Sequence, residues 1–416
     1  MPSHKPCFWI SEIPVSMSPK RIYLDHNATS PLRDEAREAM LAAFALVGNA
    51  SSPHHEGRQA RGMIDQARDR IAALCGANAR DVIFTGGATE ANGLALSPLL
   101  TSQTLGGGKA QGCDALLVLA TEHPCVLQGH RFAADRIALL PVLSSGLIDL
   151  EVLEHKLDQL AASGHRVMVS VQAANSETGV IQPIGEIAIR VHAKGGLLHC
   201  DAVQMAGRLP LDQGTAGADS LALSAHKLGG PQGVGALVLR AGGLTVEAPV
   251  LKGGGQERGA RAGTENVAGI AGFGAAAQAA SAQMAEESLR LGSLRDRIEA
   301  GLHALDAGLM VFGADAPRLP NTLAFAGSAQ TAEMALMRLD LAGIALSSGS
   351  ACSSGKVKSS HVLAAMGVDE ALARRALRIS LGWSTSPEDV IQFMTRYEQT
   401  LGPQLTAKTT GAIRAA

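Results

Sequence analysis

The chain has 416 residues, 46% of them hydrophobic, and its 36 Lys and Arg nearly balance 38 Asp and Glu, for a formal net charge of −2. That length predicts two domains with ample core, and the interspersed charge gives no footing for nucleic acid or an anionic membrane surface, which leaves small molecules or a protein as partners. Six cysteines (Cys7, Cys75, Cys113, Cys125, Cys200 and Cys352) lack CxxC pairs or zinc-type spacing, which argues against a disulfide framework or a metal site and fits a reducing cytoplasm.

Residues 1–20 hold only a four-residue apolar cluster before Ser11 and Glu12, too short for a signal-peptide core, and read as a loosely ordered extension. No later segment reaches the roughly 18 uninterrupted apolar residues of a membrane span. Beyond the extension, "VIFT" (82–85), "LLVLA" (116–120), "VMVSVQ" (167–172), "GLLHC" (196–200), "SLALS" (220–224) and "GALVLR" (235–240) predict strands buried on both faces. Several are separated by amphipathic helices such as 58–74 and 183–194, the pattern of a doubly wound α/β sheet. "TSQTLGGGKAQG" (101–112) reads as a polar surface excursion. The glycine-rich "LKGGGQERGARAGTEN" (251–266) precedes a long Ala-rich helix, about 265–305, after which strands near 321–325 and 377–381 predict a smaller α+β domain. The expected division is a large α/β domain over 21–280 and a small one over 281–416, meeting inside the long helix.

In "LSAHKLGGPQGVGAL" (223–237) a strand runs into a turn carrying Ser224, His226 and Lys227. A lysine held at the end of a core strand loses its proton through desolvation and becomes a nucleophilic amine able to form a Schiff base. "HCDAVQ" (199–204) ends another buried strand with Asp201, and an open α/β sheet gathers such strand ends into one crevice. A carboxylate there suits a pyridine nitrogen that must stay protonated. "FTGGATEANGLAL" (84–96) passes from strand through glycines into a helix, so that its first-turn amides and Thr89 suit a phosphate, with Ser224 and His226 as further donors. In "LATEHPCVL" (119–127), His123 follows a buried strand, placed to lie on an aromatic cofactor. Alone, each has an ordinary explanation: a solvated lysine, a helix N-cap, a plain turn, a structural histidine. "SSGSACSSG" (347–355) surrounds Cys352 with serine and glycine, either a turn whose cysteine merely packs or a carrier for a travelling thiol.

Together these motifs resemble the cysteine desulfurases of the NifS/IscS type, within the class-V aminotransferase group of pyridoxal-phosphate enzymes. "YLDHNAT" (23–29), "GNASSPHHEGR" (48–58), "NSETGVIQPI", "GGGQERGARAGTEN", "LPNTL" (319–323), "SHVLAAMG" (360–367) and "LRISLG" (377–382) join those above in the family's order, from about residue 21 to 395. The resemblance implies a fold type I pyridoxal-phosphate enzyme, with a doubly wound mixed sheet in the large domain, acting as a homodimer. Lys227 would form the Schiff base with pyridoxal 5′-phosphate, Asp201 would hold the pyridine nitrogen, Gln204 would bond the ring hydroxyl and His123 would stack on the ring. Ala88, Thr89, Ser224 and His226 would hold the phosphate, joined by Thr264 from the other subunit, while Asn49 and Arg378 would bind the substrate carboxylate.

The same resemblance implies conversion of L-cysteine to L-alanine, with sulfur passed to a persulfide on Cys352, beside Lys356 and Lys358, and then to an acceptor or scaffold protein. The chain departs from the family at Ser176, where a second asparagine is common, at Trp383, where many members have arginine, and at Ala50, which replaces a proline. Ser176 or Asn175 would then have to supply the missing ring contact. A selenocysteine lyase, another aminotransferase of this fold, or a non-catalytic sulfur-transfer scaffold are the competing functions; alanine and sulfide released from cysteine separate them. The motifs do not name the sulfur acceptor.

Overall fold

The computed structural model describes residues 21–102, 111–240, 243–328, 330–348 and 360–414. The extension 1–20 and the segment holding Cys352, Lys356 and Lys358 lie outside them. The expected strands form at Val82–Thr85, Ala115–Leu119, Val167–Ser170, Leu197–Asp201, Ser220–Ser224 and Gly235–Leu239, each within two residues of its sequence boundaries. They join Ile137–Leu140 in a seven-stranded sheet ordered 82–85, 235–239, 220–224, 197–201, 167–170, 115–119, 137–140. Gly235–Leu239 alone runs against its neighbours.

Alternation across the pleat divides the core. Val82, Phe84, Leu117 and Val169 pack on one face with Ile64 and Ile71 of helix His55–Cys75. Ile83, Leu116, Val118 and Met168 pack on the other with Ala91 and Leu94 of helix Ala88–Ala95. Because all strands but one point the same way, Thr85, Leu119, Ser170, Asp201 and Ser224 end at one edge, where chemistry in such sheets collects.

A second, antiparallel sheet runs Met310–Val311, Thr322–Ala326, Ala376–Ser380, Ser347–Ser348. Ile22–Tyr23 pairs in parallel with Ile344–Ala345, so Ile22 and Leu24 are buried beside Phe325 and Ile379. The stretch expected as a surface excursion at 101–112 begins instead as a strand, Leu100–Ser102, paired with Leu244–Val246. The reason is Leu100, fully buried in the core beneath Leu239.

Helix Val267–Leu305, 39 residues long, belongs to both cores. Ile270, Phe273 and Ala277 pack with the large sheet, and Leu291, Leu294, Ile298 and Leu302 with the small one. Its small residues permit close approach: a Cβ on Gly274 would lie 2.5 Å from Ala67 Cα of helix His55–Cys75. Each helical glycine costs about 1 kcal/mol relative to alanine, offset here by backbone-to-backbone packing. Along it the packing passes from the large core, against which Met284 still lies, to the small one, which begins at Leu291.

Gly235 lies where its strand passes the Gly86–Gly87 turn, and a Cβ there would meet Gly87 C and Leu223 O, each at 2.6 Å. Gly235→Ala is expected to cost about 1–3 kcal/mol through overpacking, read as a lower denaturant midpoint. A midpoint equal to the parent's would show that the strand does not press on the turn.

Candidate active site

Ser224 ends its strand and Ala225–Lys227 forms one 3-10 turn that directs Lys227 towards the N-terminal segment. Lys227 Nζ donates to the carbonyl oxygens of Asn27 at 2.6 Å and Ala28 at 2.7 Å. Burial pushes its pKa down to about 8; Arg208 and Arg378 add to the depression, and Asp25 and Asp201 oppose it. Asp201, at the end of the neighbouring strand, accepts from the Val203 amide at 3.0 Å and from Asn92 Nδ2 at 2.9 Å. Burial raises its pKa, while those donors and the charges of His123 and Lys227 pull it back.

His123 is the N-cap of helix Pro124–Leu127, and its Nδ1 accepts from the Cys125 amide at 3.1 Å. In the neutral ring the proton therefore sits on Nε2. Loss of water around the ring lowers its pKa, Asp201 opposing and Lys227 and His361 reinforcing the shift. Glu122, fully buried next to it, has its pKa pushed well above the carboxylate range by burial and then by Asp201.

The turn before helix Ala88–Ala95 depends on Gly87, whose φ of 154° disfavours any side chain. Thr85 Oγ1 donates to Gly87 O at 2.9 Å, and the first helical bond, Ala91 N to Gly87 O, leaves the Ala88 and Thr89 amides outside the helical ladder. Ser224 is buried, one strand removed from the turn: Gly235 pairs with Thr85 on one side and with Ser224 on the other. His226, held by Nδ1 to Thr29 Oγ1 at 3.1 Å, has its pKa lowered by burial to about 4. Thr264 is exposed, in the loop before the long helix.

Arg378, on strand Ala376–Ser380, gives Nη2 to Asp25 Oδ1 at 2.6 Å and Nη1 to Ser176 O at 3.0 Å. Its buried Nε has no partner among the described residues. Asn49 is exposed, its Oδ1 accepting from the Ser51 amide at 2.8 Å, and no hydrogen bond joins it to Arg378 among the described residues. Gln204 Nε2 donates to Asn27 O at 3.1 Å while its Oε1 accepts from Arg208 Nη1 at 3.0 Å, which leaves one amide hydrogen free.

Asn175 is committed to its own turn: Oδ1 accepts from the Glu177 and Thr178 amides, and Nδ2 donates to Thr121 O. Ser176, half-buried, is then the residue of that pair whose side chain remains available. Trp383 donates Nε1 to Pro31 O and lies beneath the Arg33 guanidinium, and Ala50 is buried in the large core. Cys352 itself lies outside the described residues, but the flanks of its segment are placed. Ser347 pairs with Arg378 across the small sheet. Ser360 Oγ donates to Glu177 Oε2 at 2.5 Å, and His361 Nε2 to Glu122 O at 2.9 Å.

Sequence reasoning left Asp25, Asn27, Asn92, Glu177 and Arg208 without a role. For Asp25, Asn27 and Glu177 the signal was the density of polar residues in "YLDHNAT" and "NSETG"; Asn92 and Arg208 carry no such signal. Among the described residues no group of three His, Cys, Asp or Glu side chains suits a metal ion, and no helix is long and apolar enough to cross a membrane. The arrangement offers a near-neutral amine, a buried carboxylate, free helix-start amides and a guanidinium whose Nε has no partner among the described residues. It can form a Schiff base, hold a cationic ring nitrogen, receive a phosphate and bind a carboxylate.

This α/β fold and its lysine-centred site belong with a known class of enzyme: residues 22–393 match the model of the aminotransferase class-V family, and the chain is a member of it. It is similar to the IscS-like cysteine desulfurase of Mycobacterium tuberculosis, 40% identical over 373 residues that span 88% of this chain and 93% of that one. The cysteine desulfurase IscS of Dictyoglomus turgidum is 38% identical over 375 residues, 89% of this chain and 92% of its own. Among solved structures, the NifS-like protein of Rickettsia africae superposes with a TM-score of 0.79 at 32% identity, covering 91% of this chain and 99% of that one. SspA in complex with cysteine gives 0.68 at 29% identity, over 86% and 98% of the two chains.

In the cofactor-free protein the Lys227 amine is expected to titrate at about 8, followed by NMR of reductively methylated lysines. Asp25→Asn, by removing a charge that opposes the depression, should lower it further. A titration in the ordinary lysine range would overturn the desolvated environment described for this amine.

Proposed function

We propose that the protein is a pyridoxal-phosphate-dependent cysteine desulfurase, converting L-cysteine to L-alanine and leaving the sulfur as a persulfide on Cys352. The observation that carries this is Lys227, a lysine depressed towards neutrality and held among backbone carbonyls, close enough to buried Asp201 for their charges to interact. The donor set fits pyridoxal 5′-phosphate. Lys227 would hold the aldehyde carbon, Asp201 the ring nitrogen and the spare Gln204 amide hydrogen the ring hydroxyl, with His123 against the ring. Ala88, Thr89, Ser224 and His226 would hold the phosphate, joined in a homodimer by Thr264 from the other subunit.

When bound, that cofactor supplies a protonated ring that takes up the electron pair released at the substrate Cα. Arg378, assisted by Asn49, orients the substrate carboxylate; its unspent Nε is the donor available for it. Lys227, with a pKa near the working pH, takes the Cα proton and later returns one. The Cys352 thiolate attacks the substrate sulfur. The new S–S bond forms as the C–S bond breaks, the electron pair stays on carbon, and protonation there completes alanine. Burial keeps the described thiols protonated, Cys75 and Cys113 at about 12, Cys125 at about 11 and Cys200 well above its usual value, which supports Cys352 as the carrier. A cytoplasmic enzyme handing sulfur to an acceptor protein, for iron–sulfur cluster assembly or another delivery route, completes this reading.

The purified protein should release alanine and, with a reductant, sulfide from L-cysteine, and borohydride should fix a pyridoxyl label on Lys227. Cys352→Ser should keep the cofactor's visible absorbance yet lose sulfur transfer by roughly a thousandfold or more. Normal turnover by that variant, or brief exposure to cysteine placing sulfur on Cys125 or Cys200, would refute the carrier.

Hybrid dimers of a Lys227→Ala chain with a Thr264→Ala chain should contain one doubly defective site and one free of both changes. Activity recovered on mixing supports the shared site; no recovery shows that the loop serves its own subunit.

A further inference from the structure

Behind Asp201 a line of hydrogen-bonded polar groups runs through the core, beside the buried pair Ser170 and Glu122. Asn92 and His199 are 0% exposed and Ser220 is 1% exposed. Asn92 Nδ2 donates to Asp201 Oδ2 at 2.9 Å and lies 3.4 Å from Cys125 Sγ, which accepts its other hydrogen. Asn92 Oδ1 meets His199 Nε2 at 2.8 Å, and His199 Nδ1 meets Ser220 Oγ at 2.8 Å.

One hydrogen arrangement satisfies all of these contacts. An ionised Asp201 only accepts, so Asn92 must turn its amide nitrogen to it and its oxygen to His199. His199 must then carry its proton on Nε2, and Nδ1 must accept from the Ser220 hydroxyl. The imidazole is neutral, because burial lowers its pKa to about 3. Three elements supply the line: helix Ala88–Ala95, strand Leu197–Asp201 and strand Ser220–Ser224.

We infer that Asn92 and His199 are positioning residues for Asp201, fixing its carboxylate and keeping the proton it shares with the cofactor on the pyridine nitrogen. The inference rests on the cofactor assignment above. Donors to a carboxylate stabilise its anion and lower its proton affinity. With Asn92 donating to Oδ2 and Val203 to Oδ1, the shared proton stays on nitrogen, where it makes the ring an electron sink. Without Asn92, Asp201 becomes more basic and draws the proton to oxygen.

The test uses the full-length protein loaded with pyridoxal 5′-phosphate carrying ¹⁵N in its ring. The parent should show a pyridinium nitrogen resonance. Asn92→Leu and His199→Leu should move it towards neutral pyridine and weaken cofactor binding about tenfold, as expected for loss of a hydrogen bond to a charged group. His199→Gln, which keeps an N–H donor, should retain the parent position. A folded Asn92→Leu protein that binds cofactor with an unshifted resonance overturns the inference. Should the leucine variants fail to fold, ¹⁵N-histidine labelling of the parent decides it. His199 should be neutral, protonated on Nε2 and silent to pH while the protein is folded; a proton on Nδ1, or an imidazolium, overturns the line. A parent protein that binds no cofactor refutes the assignment of the site instead, and the His199 resonances still decide the line by themselves.

Discussion

The polar strut of residues 25–30, laid between the two sheets, is the constraint on which the site depends. Asp25 bridges to Ser380, Asn27 donates to Thr322 Oγ1 and Ser176 O and accepts from Asn321, and Ser30 bonds the His226 carbonyl. Buried polar groups must find partners, so this many contacts leave the strut one position. That position sets where Lys227, reaching it from the large sheet, stands relative to Arg378, reaching it from the small one. His26 seals the strut from beneath: burial lowers its pKa to about 3, and a Cβ on Gly382 would fall 1.9 Å from its Nδ1. Glycine at 382 is required for the strut to lie there at all.

Charge follows from the same geometry. Lys227, Arg208 and Arg378 share a poorly hydrated space with Asp25 and Asp201, and burial lowers even Arg208, to about 10. Cations crowded in such a medium repel one another strongly, and a bound anion relieves them. Asp25 tempers this by engaging Arg378 without using all of its nitrogens. The site thus attracts a carboxylate while sparing the amine a full complement of positive neighbours, and the amine remains partly unprotonated.

Several candidate site residues were legible in the sequence because they follow the end of an apolar strand. Lys227, Asp201, His123 and Thr89 follow "SLALS", "LLHC", "LLVLA" and "VIFT"; the crevice at the strand ends of an open α/β sheet put them near one another, and the family resemblance supplied their expected roles. Strand Ile137–Leu140 was not read from the sequence although its four residues, IALL, are all apolar: it is an edge strand, only partly buried, and so short an apolar run without alternation does not by periodicity tell strand from helix. Nor was the partnership of Asp25 with Arg378, 353 residues apart, or of Asn92 with His199, 107 apart, because side-chain pairing across that separation leaves no local periodicity. Asn175 shows the converse. As a residue type it suggested a ring contact, and only its hydrogen bonds reveal an amide already occupied in shaping a turn.

Helix Val267–Leu305 carries a consequence for how the molecule comes apart. Its first half completes one core and its second half the other, with no break between. Severing it would strip each core of an apolar stripe that packs into it. The two units therefore share one cooperative fate: heat or denaturant that loosens the small sheet withdraws the end of a rod embedded in the large one, and melting registers as a single event rather than two.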